Sequence, residues 1–190
     1  MGSTLNFREI FYASNLLSIS RILLLIPIYL CLQQQTSAGN YATIFLILLG
    51  AATDFWDGRL ARSRHEQSDL GRILDPVADK ICVAILAILM YGFRDLPLWY
   101  VGLLLLRDLL ILVGGLLLMY KTKLVVESNW PGKITVGGLA VVIMTYTLDI
   151  EVLERPFLWI SVGMVLISSL FYVIKMVNLL RLQKVNGYQL

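Results

Sequence analysis

The sequence predicts an all-α integral membrane protein with six transmembrane helices. Two observations carry this. Hydrophobic residues make up 58% of the 190, and the mean hydropathy is +0.76, more apolar weight than a soluble domain of this length carries. Several apolar runs also approach the ~20 residues needed to cross a bilayer. No repeat, low-complexity tract or linker marks off a second domain, so residues 1–190 read as one membrane domain.

The elements follow in order. Leu5 to Ala13 reads either as a short amphipathic helix on the membrane surface or as a frayed terminus. The first span runs from Asn15 to Leu32 and carries Ser18, Ser20 and Arg21 early in its course. It ends in Gln33, Gln34 and Gln35 without a small-residue cleavage pattern, so a cleaved signal peptide is not expected. The second runs from Tyr41 to about Ala61, the third from Gly71 to Tyr91 and the fourth from Leu98 to Tyr120. The fifth covers Ile134 to Leu148 and the sixth Phe157 to Val177. Cys31 and Cys82 both lie inside apolar runs, with neither the spacing nor the context of a metal site or disulfide framework.

Six spans place both termini on one side. Of the 16 Lys and Arg residues, only Arg94 and Arg155 fall in the loops opposite the termini. The positive-inside rule therefore predicts cytoplasmic termini, as in a multi-pass protein of a bacterial inner membrane.

The stretch from Asp54 to Asp79 carries the chemistry. Asp54 and Asp57 are three apart, and Asp75 and Asp79 four apart, so each pair shares a helix face. If the flanking runs form an antiparallel helix pair, both carboxylate pairs meet at one end of it. Four crowded carboxylates repel one another and need a compensating cation. Hard oxygen donors in that number suit Mg²⁺, Mn²⁺ or Ca²⁺, and two ions rather than one. The plainer alternative is a set of solvated helix caps. It suits Asp75, which precedes Pro76. It does not suit Asp54 and Asp57, expected at a helix C-terminus where the dipole disfavours negative charge.

The order D-x2-D-G-x2-A-R-x8-G-x3-D-x3-D is matched by Asp54, Asp57, Gly58, Ala61, Arg62, Gly71, Asp75 and Asp79. Eight fixed residues at about 1/20 each give a chance match on the order of 10⁻¹⁰ per starting position. The pattern resembles the signature of the CDP-alcohol phosphotransferases, membrane enzymes of phospholipid synthesis. The resemblance implies that Asp54, Asp57, Asp75 and Asp79 bind two divalent cations, Mg²⁺ or Mn²⁺. It implies that Asp79 doubles as the catalytic general base and that the enzyme is a homodimer, while the positive-inside rule places the active site, like the termini, on the cytoplasmic side. The donor substrate would be CDP-diacylglycerol, bound by Asn15, Ser20, Arg21, Gly58, Ala61, Arg62, Ser68 and Gly71. Gly58 has no side chain to keep a nucleotide from the helix backbone, and Arg62, one turn on, suits a bidentate phosphate contact. His65, the one histidine, reads as a solvated loop residue.

The second substrate must bring a hydroxyl. Arg107 lies within an apolar span, where a charge is costly and usually functional. Its neighbour Asp108 points about 100° away on a helix. The structural alternative for Arg107 is an interhelical clamp to a carboxylate. Lys133 opens the fifth span, where a positive-inside anchor is the alternative. Gly132-Lys133-Ile134-Thr135 resembles a G-K-x-x-T segment of members that use phosphorylated polyols, with Thr135 one position early. Arg107 and Lys133 are thus the expected acceptor-phosphate residues. Glycerol 3-phosphate is the favoured acceptor, with phosphatidylglycerol or an inositol phosphate as rivals. No nucleic-acid partner is expected. A divalent-cation transporter would need polar groups through the membrane depth, whereas these carboxylates sit at one end of the spans.

Overall fold

The structure, a computed structural model, describes residues 13–64, 71–122 and 130–186. These residues form six helices and three short connections. The helices are α1 (Ala13–Gln33), α2 (Ser37–Arg64), α3 (Gly71–Arg94), α4 (Leu98–Thr122), α5 (Trp130–Thr147) and α6 (Glu151–Asn186). Each coincides with an expected apolar run, so the all-helical class and the element order agree with the sequence reading. The candidate surface helix at Leu5 to Ala13 lies almost wholly outside the described residues.

Two helices run well past their expected ends. α2 continues past Ala61 to Arg64, and α6 extends beyond Phe157 and Val177 at both ends. Hydropathy marks where lipid contact stops, whereas helical hydrogen bonding continues through polar residues. α3 begins at Gly71, so Asp75 lies inside the helix and is not its N-cap. Arg94, expected in a loop, occupies the last turn of α3 and is buried.

Two helices contain stretches long and apolar enough to cross a bilayer, Leu98–Gly115 in α4 and Glu151–Leu179 in α6. Ile19–Gln33, Ser37–Thr53 and Gly132–Thr147 are shorter apolar stretches. Large apolar side chains are exposed on every helix, among them Leu23, Phe45, Ile88, Leu106, Val136 and Leu170. So much exposed apolar surface is untenable in water and ordinary for helices that face lipid.

The chain divides into two compact units, one within residues 1–96 and one within 97–190. In the first, α1 packs against both α2 and α3. Leu25, Ile28 and Leu32 form the buried face of α1, and Ala78, Ala87 and Met90 are buried on α3. The Tyr29 and Phe93 rings meet edge to face at 5.6 Å. Pro27 is accommodated within α1, as proline is in membrane helices. Residues 34–36 turn α1 back into α2, with Gln35 in the left-handed region at φ 49°. Thr36 caps α2, its hydroxyl accepting from the Gly39 amide at 3.1 Å. Gly39 is required here, because a Cβ would stand 2.6 Å from the Cys31 carbonyl oxygen. Arg94 donates from Nη2 to the buried Asn40 Oδ1, tying the end of α3 to the start of α2.

In the second unit, α6 packs against α5 and α4. Residues 148–150 make the α5–α6 turn, with Asp149 at φ 53° and the Ile150 amide bonding back to the Thr145 carbonyl at 3.0 Å. The buried face of α6 includes Leu158, Ser161, Val165 and Ser168. Small residues and hydroxyls join the helices, the usual glue where apolar burial drives little. Gly138 admits Met164, whose Sδ would lie 2.6 Å from an added Cβ. Tyr100 and Ser161 hydroxyls share a 2.6 Å hydrogen bond, and Tyr172 donates to the Ile111 carbonyl at 2.9 Å.

Candidate active site

The signature residues are distributed over two helices of the first unit. Asp54, Asp57, Gly58, Ala61 and Arg62 lie on α2, and Gly71, Asp75 and Asp79 on α3. Both segments are helical, so the spacings of three and four keep each carboxylate pair on one face. Asp57 and Arg62, assigned by sequence to the end of a span and its loop, are both within α2. Asn15 lies in the first turn of α1. Ser68 falls outside the described residues.

Arg21 and Asp79 are brought together. Arg21 projects from α1 and pairs through Nη1 with Asp79 Oδ1 on α3. The arginine side chain is 11% exposed and the aspartate 43%. The cation is thus held in the helix interface while the carboxylate is the more exposed member of the pair. A cation in an apolar helix bundle needs such a partner, since desolvation without one is costly. Ser20, next to Arg21, is half-buried.

In the second unit Arg107 gathers polar neighbours from its own helix and from α6. Its guanidinium is buried on α4. Nη1 donates to Asp108 Oδ1 at 2.6 Å, and Nη2 donates to Ser168 Oγ on α6 at 2.8 Å. Gly132 of α5 is also near, since a Cβ added there would lie 3.8 Å from Nη2. Nε is buried without a hydrogen-bond partner. Asp108 is therefore a good partner despite its position on the helix, because the long arginine side chain folds back to it. The interhelical bond runs to a hydroxyl, not to the carboxylate that a clamp would supply. Lys133 is exposed in the first turn of α5, with Nζ 5.8 Å from the centroid of the Trp130 ring.

The sequence model of the CDP-alcohol phosphatidyltransferase family matches residues 11–168, which run through both units. The chain belongs to this family. As a phosphatidyltransferase it is an enzyme, a transferase of phospholipid biosynthesis. It is 33% identical over 166 residues to the CDP-diacylglycerol–glycerol-3-phosphate 3-phosphatidyltransferase of Aquifex aeolicus, covering 84% of this chain and 88% of that one. The Bacillus subtilis protein of the same name is 27% identical over 146 residues, covering 73% and 75%. A putative cardiolipin synthase of Mycobacterium tuberculosis is 30% identical over 142 residues, covering 74% and 66%.

Phosphatidyltransferases of this family are generally dependent on divalent cations, and the donor set of this chain fits one. Two carboxylates per helix, on helical backbone at spacings of three and four, supply hard oxygen ligands of the kind Mg²⁺ and Mn²⁺ take. Sequence reasoning missed two residues at Arg107, Gly132 as its neighbour and Ser168 as its partner. Ser161 and Ser168 are two turns apart in the largely apolar middle of α6 and lie on one buried face. That heptad spacing of hydroxyls was the available signal.

Proposed function

We propose that this protein transfers a phosphatidyl group from CDP-diacylglycerol to glycerol 3-phosphate and releases CMP. The observation that carries the reading is the length of its similarity to the Aquifex aeolicus enzyme, whose name states that reaction, over most of both chains.

In this reading Asp54, Asp57, Asp75 and Asp79 hold two divalent cations, Mg²⁺ or Mn²⁺. The bound cations would neutralise the diphosphate oxygens and the departing CMP. Arg62 takes a phosphate in a bidentate contact, and Gly58 admits the nucleotide to the helix backbone. Asn15, Ser20, Arg21, Ala61, Ser68 and Gly71 complete the donor site. Asp79 accepts the proton of the acceptor hydroxyl as that oxygen attacks phosphorus. The new P–O bond forms as the bond to CMP breaks, and the hydroxyl proton leaves on the Asp79 carboxylate. Arg21 holds one oxygen of that carboxylate, which orients the group toward the hydroxyl. Arg107 and Lys133 bind the acceptor's phosphate, and the buried, unpartnered Nε of Arg107 supports that role.

All six helices cross the bilayer in this account. The connections 34–36, 95–97 and 148–150 lie outside, and the termini and signature are cytoplasmic. Residues 1–190 work as one catalytic domain, in a homodimer within the lipid bilayer. The second reading is a cardiolipin synthase acting on phosphatidylglycerol. The Mycobacterium tuberculosis relative's name favours it. The test is rescue. The protein is expressed in a bacterium whose own phosphatidylglycerophosphate synthesis can be shut off. Growth and phosphatidylglycerol should return. Absence of both, with the protein present in the membrane, overturns the proposal.

A further inference from the structure

We infer that Ser168 is a positioning residue for acceptor recognition, acting through Arg107. The inference rests on the acceptor role proposed for that arginine. Arg107 carries five N–H donors in a rigid planar fork. Asp108 takes one at Nη1 and Ser168 one at Nη2. These bonds attach at the two terminal nitrogens and fix the plane of the group. Gly132 on α5 is a near neighbour on the Nη2 side, where an added Cβ would stand 3.8 Å from that nitrogen. Nε is left buried and uncommitted. Such a group is costly to bury unless a ligand completes it.

The two anchors differ in kind. Asp108 sits beside Arg107 on the same helix and offsets its charge. Ser168 reaches it from α6, is itself buried, and adds no charge. Its hydroxyl therefore sets direction without weakening the attraction of the guanidinium for a phosphate. A second carboxylate at that place, as in the clamp weighed as the alternative for Arg107, would make the site net negative beside Asp108.

The test uses the full-length purified enzyme with CDP-diacylglycerol and glycerol 3-phosphate. Ser168→Ala should raise KM for glycerol 3-phosphate about ten-fold, as loss of a hydrogen bond to a charged group does. The KM for CDP-diacylglycerol and the melting temperature should stay near wild type. Ser168→Thr, which retains the hydroxyl, should restore most of the affinity, and Ser168→Val, isosteric with that threonine, should not. Unchanged acceptor KM in Ser168→Ala, or equal behaviour of the Thr and Val variants, overturns the inference. So do equal losses for both substrates with a lowered melting temperature, since that is the pattern of a packing role. Arg107→Ala separates the two levels of the argument. If it raises acceptor KM while Ser168→Ala does not, Ser168 alone is wrong. If Arg107→Ala leaves acceptor KM unchanged, the acceptor reading itself fails.

Discussion

Arg21 on α1 and Asp79 on α3, 58 residues apart in sequence, form an ion pair that joins the two helices. The buried member is the cation and the accessible member is the carboxylate. That asymmetry suits a base that must reach substrate while held in place. Arg21→Ala should lower kcat/KM for CMP release by about 10- to 100-fold, from loss of a charged hydrogen bond of ~1.5–3 kcal/mol. Arg21→Lys should recover part of this, because it keeps the charge and loses the planar fork. Wild-type kinetics in Arg21→Ala would remove the pair from catalysis.

Chelation should abolish activity. Four carboxylates on two helix faces repel one another without a cation. Exhaustive EDTA treatment should stop CMP release, and Mg²⁺ or Mn²⁺ should restore it. Full turnover after chelation would contradict the metal-binding role of Asp54, Asp57, Asp75 and Asp79.

Two glycine substitutions should move stability in opposite directions. Gly92 has nothing within 4 Å of an added Cβ, so Gly92→Ala should stabilise by up to ~1 kcal/mol through helix propensity. Gly39→Ala gains the same propensity but drives its Cβ to 2.6 Å from the Cys31 carbonyl oxygen. Overpacking of that kind costs ~1–3 kcal/mol. Thermal unfolding in detergent should show a raised midpoint for the first and a lowered one for the second. A raised midpoint for both would mean the α1–α2 turn is looser than described.

The helices were legible because lipid-facing runs leave a strong hydropathy signal, and their ends were not. Arg94 shows why. A charge closes a hydropathy run, yet the helix continues and buries that charge against Asn40. The carboxylate spacing was fully legible, since periods of three and four fix a shared face whatever surrounds them. Arg107 was legible as a buried cation, but its partners were not. Asp108 was discounted on helix geometry, although a long side chain can fold back to its neighbour. Ser168 lies 61 residues away and becomes a partner only through α4–α6 packing.

Orientation can be read chemically. In a variant lacking Cys31 and Cys82, Ser63→Cys places a lone thiol next to the signature. It should resist membrane-impermeant thiol reagents in intact cells and react after permeabilisation. Labelling without permeabilisation would invert the proposed topology.

The most direct measurement is the lipid product of purified protein given CDP-diacylglycerol, Mg²⁺ and one acceptor at a time. With isotope-labelled glycerol 3-phosphate, the predicted result is labelled phosphatidylglycerophosphate formed in step with CMP. Asp79→Asn should make none while still binding CDP-diacylglycerol. Cardiolipin from phosphatidylglycerol, with no product from glycerol 3-phosphate, would contradict the account.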